Sequence, residues 1–221
     1  MNPNRCAMIA CDVLRDEVEL VLQKHGLALP TVWLEGQMHD FPDKLRSMLQ
    51  ENIDALQDQS PEHILLAYCL CGNSTVGLVS PKAALVIPKF DDCIRMMLTL
   101  EKGVPPDMQT ACYYLTRGWV DRARFVTDTR PEYVERYGEE RTKQLYEILY
   151  GAYTDFVVLD NGAYDVADIL PKAQEGAELL GLGIRHAQGS TRIVESLLTG
   201  NWDDEFVVVP PGEEVRAEHF R

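Results

Sequence analysis

Short apolar segments and amphipathic segments alternate along this chain, and this alternation constrains its fold more than any other feature. Apolar runs typical of buried strands are followed by segments whose apolar residues recur every three or four positions. Strands that alternate with helices are joined by crossover connections, which make neighbouring strands parallel. The predicted fold class is therefore α/β, with mainly parallel sheets and flanking helices in two Rossmann-like lobes.

The pattern predicts where the strands, the helices and the boundary between the lobes lie. Strands are predicted at residues 5–11, 31–34, 63–70, 84–88, 111–115, 156–159, 183–186 and 206–209. Helices are predicted at 14–24, from Pro42 to about 56, from Asp91 or Asp92 onward, and at 131–150, 166–180 and 191–198. The basic segment from Arg117 to Arg130 is predicted to be a solvated loop, with a site for a small anionic ligand as the alternative. The expected domains are an N-terminal lobe of residues 1–120 and a C-terminal lobe of residues 121–221.

The net charge of the chain restricts which classes of molecule it is expected to bind. The formal net charge is −14, from 35 acidic and 21 basic residues, and such a surface repels phosphate backbones. No apolar run reaches the length of a membrane span, and the segment from Met1 to Cys6 lacks the apolar core of a secretory signal. We therefore expect a cytoplasmic protein that binds neither nucleic acid nor membrane.

Three of the six cysteines follow predicted strands, at matching places. Cys11 ends the first strand, Cys71 follows the third, and Cys93 comes shortly after the fourth, at a predicted helix start. Because the carboxyl ends of parallel strands share one edge of a sheet, these thiols are expected to meet there. The other three, Cys6, Cys69 and Cys112, fit the buried and inert role that is common for free cysteine.

His39 follows the second predicted strand and would join the same edge. Three thiolates and one imidazole suit tetrahedral zinc, which predicts a metal site at Cys11, His39, Cys71 and Cys93. An iron–sulfur cluster on the three thiolates is the alternative cofactor. A structural role for each residue competes with both hypotheses, since the close cysteine pairs of structural zinc sites are absent from the sequence. On the metal hypothesis, Asp92 or Glu17 would lie just outside the ligands.

Two further features bear on this candidate site. Gly72, Asn73 and Ser74 form a polar loop after Cys71, and its backbone N–H groups are candidates for binding a cofactor or a small-molecule ligand. No Gly-Lys-Ser/Thr follows, so the loop is not a P-loop. Cys93 lies at a helix start, where the helix dipole favours thiolate, and Asp91 and Asp92 oppose that shift unless they cap the helix or bind a metal. A metal-free cysteine nucleophile at Cys71 or Cys93 is therefore a further hypothesis.

Several motifs, in order along the chain, resemble an uncharacterised bacterial and archaeal family known as domain of unknown function 1638. The matching stretches are ACDVLRDE at 10–17, LEGQMH at 34–39, YCLCGN at 68–73, IPKFDDC at 87–93, YYLTRGW at 113–119, LLTGNWD at 197–203 and PPGE at 210–213. The chain departs from the family pattern at two positions. Asp91 stands where the family often has histidine, and Cys69 stands where it has glycine.

The resemblance implies a setting close to corrinoid-dependent methyltransferase systems. It implies a corrinoid protein or a methyltransferase subunit as partner, and a corrinoid reached through that partner. The first hypothesis is therefore a zinc-dependent protein of methyl-group metabolism, in which zinc activates a substrate thiol or amine. The second is a non-catalytic protein that binds or delivers a metal, a corrinoid or a partner. Whether the chain is an enzyme, and on which substrate, does not follow from its residues.

Overall fold

The structure, a computed structural model that describes residues 5–221, confirms the α/β class: two mainly parallel sheets are flanked by helices. The strands are β1 (Cys6–Cys11), β2 (Thr31–Leu34), β3 (His63–Ala67), β4 (Ala84–Pro88), β5 (Cys112–Leu115), β6 (Asp155–Asp160), β7 (Gly183–Gln188) and β8 (Phe206–Val209). The helices are α1 (Arg15–His25), α2 (Pro42–Leu56), α3 (Cys93–Leu98), α4 (Arg117–Arg122), α5 (Val126–Tyr137), α6 (Glu139–Tyr150), α7 (Leu170–Leu180) and α8 (Arg192–Thr199). Residues 1–4, part of the segment expected to lack a secretory signal, lie outside the described residues.

The first sheet has the strand order β2-β1-β3-β4-β8. Strand β8 pairs antiparallel with β4, and the other pairs are parallel. The chain leaves β1 towards one side to form β2 and then returns to the other side of β1 to form β3. The topological switch point therefore lies between β1 and β3, and open α/β sheets bind ligands outside the carboxyl ends of the strands at such a point.

Both faces of the first sheet are buried. Met8, Ala10 and Leu65 enter a core shared with α1 and α8, whereas Ile9 and Leu66 enter a core shared with α2. Successive residues of a strand point to opposite faces, so a strand covered on both sides needs apolar residues throughout. This requirement explains why β1 and β3 were recognisable as uninterrupted apolar runs.

The second sheet has the order β5-β6-β7 and is parallel. Leu115, Phe156 and Val158 pack against helices α5 and α7. The division into lobes of residues 1–120 and 121–221 stays a prediction. Membership of the sheets does not follow that division, because β5 precedes residue 120 and pairs with β6, and β8 follows it and pairs with β4.

The single helix predicted at residues 131–150 is wrong in its extent. Two helices, α5 and α6, meet at Gly138, whose φ of 78° lies in the left-handed region that favours glycine. Helix α5 begins at Val126, so Pro131 lies inside it and not at its start. Proline is disfavoured inside a helix because it removes one backbone hydrogen bond, and it is therefore expected at a helix start. At Pro131 this expectation is wrong.

The solvated loop predicted from Arg117 to Arg130 is also wrong. The segment is helical for most of its length, and its arginines are paired with carboxylates. Arg117 and Arg122 both contact Asp16, Arg124 contacts Glu132, and Arg130 contacts Glu139. The basic residues therefore serve contacts within the chain.

Helix α4 connects the two sheets at close range. Gly118 lies against the 3-10 turn Asp12–Leu14, and an added Cβ would come within 1.9 Å of the Val13 carbonyl oxygen. Across the same junction, the Asn161 amide donates a hydrogen bond of 2.7 Å to the Glu17 carboxyl group. The first contact fixes the position of α4 over the carboxyl edge of the first sheet, and the second joins the loop after β6 to α1.

None of the helices in the described part of the chain has both the length and the apolar character needed to cross a membrane.

Candidate functional site

A cavity of about 290 Å³ lies at the carboxyl edge of the first sheet, at the switch point between β1 and β3. All four predicted metal ligands line it: Cys11, His39, Cys71 and Cys93. The remaining lining residues are Val13, Leu14, Glu35, Gly36, Ala67, Tyr68, Gly72, Asp92, Ile94 and Trp119. These four residues therefore lie around one cavity, as expected from their places at or after strand ends. Whether they bind a metal is a separate question.

Two cavities of larger volume lie elsewhere and lack this chemistry. One of about 360 Å³ lies between α6 and α7, and one of about 470 Å³ lies beside the segment that follows α3. Among the described residues that line these two, none is a cysteine or a histidine. The thiol-lined cavity is therefore the stronger candidate for a reactive or metal-binding site.

Each cysteine is positioned by a different local structure. Cys11 is the last residue of β1, and Cys93 is the first residue of α3. Cys71 lies in the loop after β3, with a φ of 45° that is unusual for a residue with a side chain. Gly72 and Asn73 continue in the same left-handed region, at φ of 65° and 69°. Three successive left-handed residues turn the chain sharply at the cavity wall.

The loops after β3 and β4 are hydrogen-bonded to each other, which brings Cys71 close to Cys93. The Leu70 N–H donates to the Phe90 carbonyl, and the Cys71 N–H donates to the Asp91 carbonyl, each at 2.9 Å. Asp92 caps α3, as one of two predicted candidates, because its side chain accepts a hydrogen bond of 2.7 Å from the Arg95 N–H. Asp92 thus has a structural partner while it also lines the cavity.

His39 lies in the 3-10 turn Gly36–Asp40, which follows β2. Its Nδ1 contacts the Gly36 carbonyl oxygen, and its Nε2 lies 3.1 Å from Asp40 Oδ1. The edge of its ring meets Trp119 of α4 at a centroid distance of 4.8 Å. The backbone contact through Nδ1 leaves Nε2 as the ring nitrogen that is available to a metal once Asp40 is displaced.

Burial keeps the cavity thiols in the protonated form. It raises the pKa of Cys11 to about 11 and that of Cys71 to about 12. Burial, together with Cys71 and Cys11, raises the pKa of Cys93 well above its ordinary value. The helix start does not lower the pKa of Cys93, because desolvation outweighs the effect of a short helix, and Asp92 opposes that effect as expected.

The four predicted ligands do not form a closed coordination sphere. Within residues 5–221, no group of three or more histidine, cysteine, aspartate or glutamate side chains is arranged so that it could hold a metal ion. A metal would need its ligands about 2.0 to 2.3 Å away, so the thiols would have to turn inward to reach it. Their role as ligands stays a prediction.

The polar loop after Cys71 contributes less to the cavity than expected. Of its three residues, Gly72 lines the cavity, Asn73 is exposed, and Ser74 is buried. The Ser74 N–H donates to the Cys71 carbonyl at 3.3 Å, so the loop uses this donor itself. A role of these residues in binding a cofactor stays a prediction.

Sequence reasoning missed two aromatic residues of the cavity. Tyr68 lies within the predicted strand at 63–70, and Trp119 ends the motif at 113–119, but neither is predicted there as a residue of the site. The alternation of faces along β3 was the available signal for Tyr68, since it shares a face with Leu66. Trp119 had no such signal, because only the packing of α4 on the first sheet brings it to the cavity.

Comparison with curated proteins and with solved structures gives no match. The family described as "Protein of unknown function (DUF1638)" matches residues 33–198, which include His39, Cys71 and Cys93. This match spans well over half of the chain and agrees with the motifs found in the sequence. The chain belongs to the DUF1638 family.

Proposed function

We propose that this chain is a metal-binding protein whose centre is a thiolate-ligated zinc ion held by Cys11, Cys71 and Cys93, with His39 as the fourth ligand. The observation that carries the proposal is the convergence of these residues on one cavity from the carboxyl ends of four strands of the first sheet or the segments that follow them. Isolated inert cysteines have no reason to gather at a topological switch point, which is where this fold class places ligands.

The donor set suits zinc by its chemistry. Sulfur and imidazole donors favour zinc over hard cations such as magnesium and calcium. The thiols carry raised pKa values because nothing positive compensates their burial, and a dication supplies that compensation when it displaces the protons. An iron–sulfur cluster on the three thiolates is the alternative, with His39 outside the ligand set.

A role in methyl-group metabolism is the finer part of the proposal, and it rests on the family resemblance. A bound zinc ion lowers the pKa of a substrate thiol, which makes that thiol a nucleophile for a methyl donor. In this role the protein acts in the cytoplasm with a corrinoid protein or a methyltransferase subunit. If the same centre only binds a metal or a corrinoid for delivery, it shows tight binding without turnover.

The metal-free nucleophile is the weaker alternative. A thiol that titrates at about 11 or 12, as Cys11 and Cys71 do, is almost entirely protonated at neutral pH. The thiolate is the attacking species, so such a thiol reacts slowly without a metal or a base. This comparison favours metal binding over direct nucleophilic catalysis.

The test is metal analysis of protein purified without oxygen, followed by zinc titration of the metal-free form against a chelator of known affinity. We expect about one equivalent of zinc, and at least a 100-fold loss of affinity in Cys71→Ser. Cys112→Ser is the matched control, because Cys112 is buried at 8% exposure and does not line the cavity. Absence of stoichiometric zinc or iron, or equal zinc affinity in the two variants, contradicts the proposal.

A further inference from the structure

The hydroxyl group of Tyr68 is buried and makes no hydrogen bond of normal geometry to any residue that the structure describes. Tyr68 is 3% exposed, and its oxygen atom lacks a partner within the described structure. Buried polar atoms are almost always paired, so an unpaired hydroxyl calls for a specific explanation. Ser74 and Thr75 also carry buried unpaired hydroxyls nearby, but of these three residues Tyr68 lines the cavity.

The immediate neighbour of this hydroxyl does not satisfy it. Tyr68 lies beside the Cys11 thiol, but its hydroxyl makes no hydrogen bond of normal geometry to that sulfur. A thiol sulfur is at best a weak acceptor, which leaves the phenolic O–H available to a stronger one.

The charges around the cavity restrict what can occupy it. Glu35 and Asp92 line it, and among the described lining residues none is lysine or arginine. An anionic ligand would meet two carboxylates with no compensating cation. The rest of the wall is largely apolar, with Leu14, Ile94 and Trp119 as examples. A volume of about 290 Å³ accommodates a molecule of roughly the size of a substituted benzene ring.

We propose that this cavity binds a small uncharged organic molecule, and that the Tyr68 hydroxyl donates a hydrogen bond to an oxygen or sulfur acceptor of that molecule. The apolar body of the ligand packs between Trp119 and Ile94. Tyr68 thereby selects for ligands that carry an acceptor, since burying an unpaired hydroxyl under a purely apolar ligand is unfavourable. The inference goes beyond metal binding and does not require it.

The test uses reduced, chelator-treated protein, so that its outcome is independent of the zinc proposal. Benzyl alcohol is the probe, toluene is the isostere without an acceptor, and benzoate is the anionic comparison. Calorimetry or ligand-observed NMR is expected to show that benzyl alcohol binds at least tenfold more tightly than benzoate. Tyr68→Phe is expected to weaken benzyl alcohol binding about three- to tenfold and to leave toluene binding unchanged.

Stability measurements distinguish a ligand-facing hydroxyl from a structural one. Without ligand, Tyr68→Phe is expected to keep or raise the unfolding midpoint, because it removes an unpaired polar group. Tyr164→Phe is the control, because the Tyr164 hydroxyl donates a 2.6 Å bond to the Leu159 carbonyl and does not line the cavity. It is expected to lower the midpoint and to leave binding unchanged. Benzyl alcohol that binds both Tyr68 forms equally, benzoate that binds as well as benzyl alcohol, or no binding by the folded wild type overturns the inference.

Discussion

The burial of Glu17, behind the cavity, makes ionisation of its side chain unfavourable in the folded protein. The residue is fully buried in α1, where Asn161 binds one carboxyl oxygen and the other oxygen has no partner. Burial raises the pKa of Glu17 to about 7, so the folded protein retains this proton at pH values where an exposed glutamate has lost it. Asp16, the preceding residue, shows the opposite shift: its two arginine partners hold its pKa below the ordinary value despite burial.

The raised pKa of Glu17 predicts a loss of stability with rising pH. Below about pH 4.5 the carboxyl group is protonated in both states, and between 4.5 and 7 the unfolded chain ionises while the folded chain does not. The free energy of unfolding therefore falls across this window, by about 3 kcal/mol in total. Glu17→Gln keeps an acceptor for Asn161 and removes the titration, so it is expected to be the more stable form above pH 7.

Urea unfolding of wild type and Glu17→Gln at pH 4.5 and pH 7.5 measures this effect. The other acidic residues titrate in both proteins, so the difference between the two proteins isolates Glu17. A difference that stays constant between the two pH values would show that Glu17 ionises normally in the folded state.

At the scale of elements, the approach of α4 to the turn Asp12–Leu14 depends on one glycine. A Cβ at Gly118 would overlap the Val13 carbonyl, and a backbone atom cannot move aside without shifting the helix. Gly118→Ala is expected to destabilise the protein by about 3 kcal/mol even though alanine is the better helix former. The shifted helix carries Trp119 away from the cavity, so alkylation of the cavity cysteines is expected to be faster.

Gly36→Ala provides a matched comparison for this prediction. Its added Cβ would also meet Val13, at 2.4 Å, but the atom it meets is the side-chain methyl Cγ2. A side chain can rotate, so a loss of about 1 kcal/mol is expected. Thermal unfolding and timed alkylation of both variants decide the point, and equal losses of stability would mean that α4 is not held by this contact.

The elements that sequence reasoning predicted well are those whose signals are local. Strands β1 and β3 are apolar throughout because both faces are covered. Helix α1, predicted at 14–24, ends at His25 because Gly26 takes up the left-handed backbone that favours glycine. Pro131 misled because α5 begins five residues before it, at Val126, and the exposed proline lies inside the helix. The antiparallel pairing of β8 with β4 brings together segments more than a hundred residues apart, and nothing in either strand announces the partner.

The residues of the candidate site also divide into those that the sequence predicted and those that it did not. Cys11, His39, Cys71 and Cys93 were placed together because strand ends in a parallel sheet share an edge, which is a rule of topology. The place of Trp119 at the cavity and the pairing of Glu17 with Asn161 depend on how α4 and the second sheet pack against that edge. No local pattern in the sequence gives this packing, so these two features could not be predicted from it.

At the scale of the whole molecule, the two sheets are interleaved in the chain and linked through Asp16. The second sheet lies between β4 and β8 in sequence, and both of these strands belong to the first sheet. Asp16 is buried at 5% exposure, and it contacts Arg117 and Arg122 of α4. A chain threaded in this way is expected to lose both sheets in a single unfolding transition, not as separate lobes.

Asp16→Asn tests this coupling. It leaves two arginines without their carboxylate, at a site where the arginine side chains are only about a quarter exposed. Removing one partner of a buried ion pair is costly, and the partial exposure of the arginines reduces the expected loss to about 2 to 3 kcal/mol. In hydrogen exchange, protection of β1 and of β6 is expected to fall by the same amount.

Asp12→Asn is the control for Asp16→Asn, since Asp12 pairs with Arg15 only three residues away and does not cross between the sheets. This pair is partly exposed, so its loss is expected to cost less than about 1 kcal/mol. If protection in Asp16→Asn falls in β6 while β1 keeps its wild-type value, the lobes unfold independently and the ion pair only fastens one to the other. If both fall together, the carboxyl edge of the first sheet and the helix that covers it form a single cooperative unit.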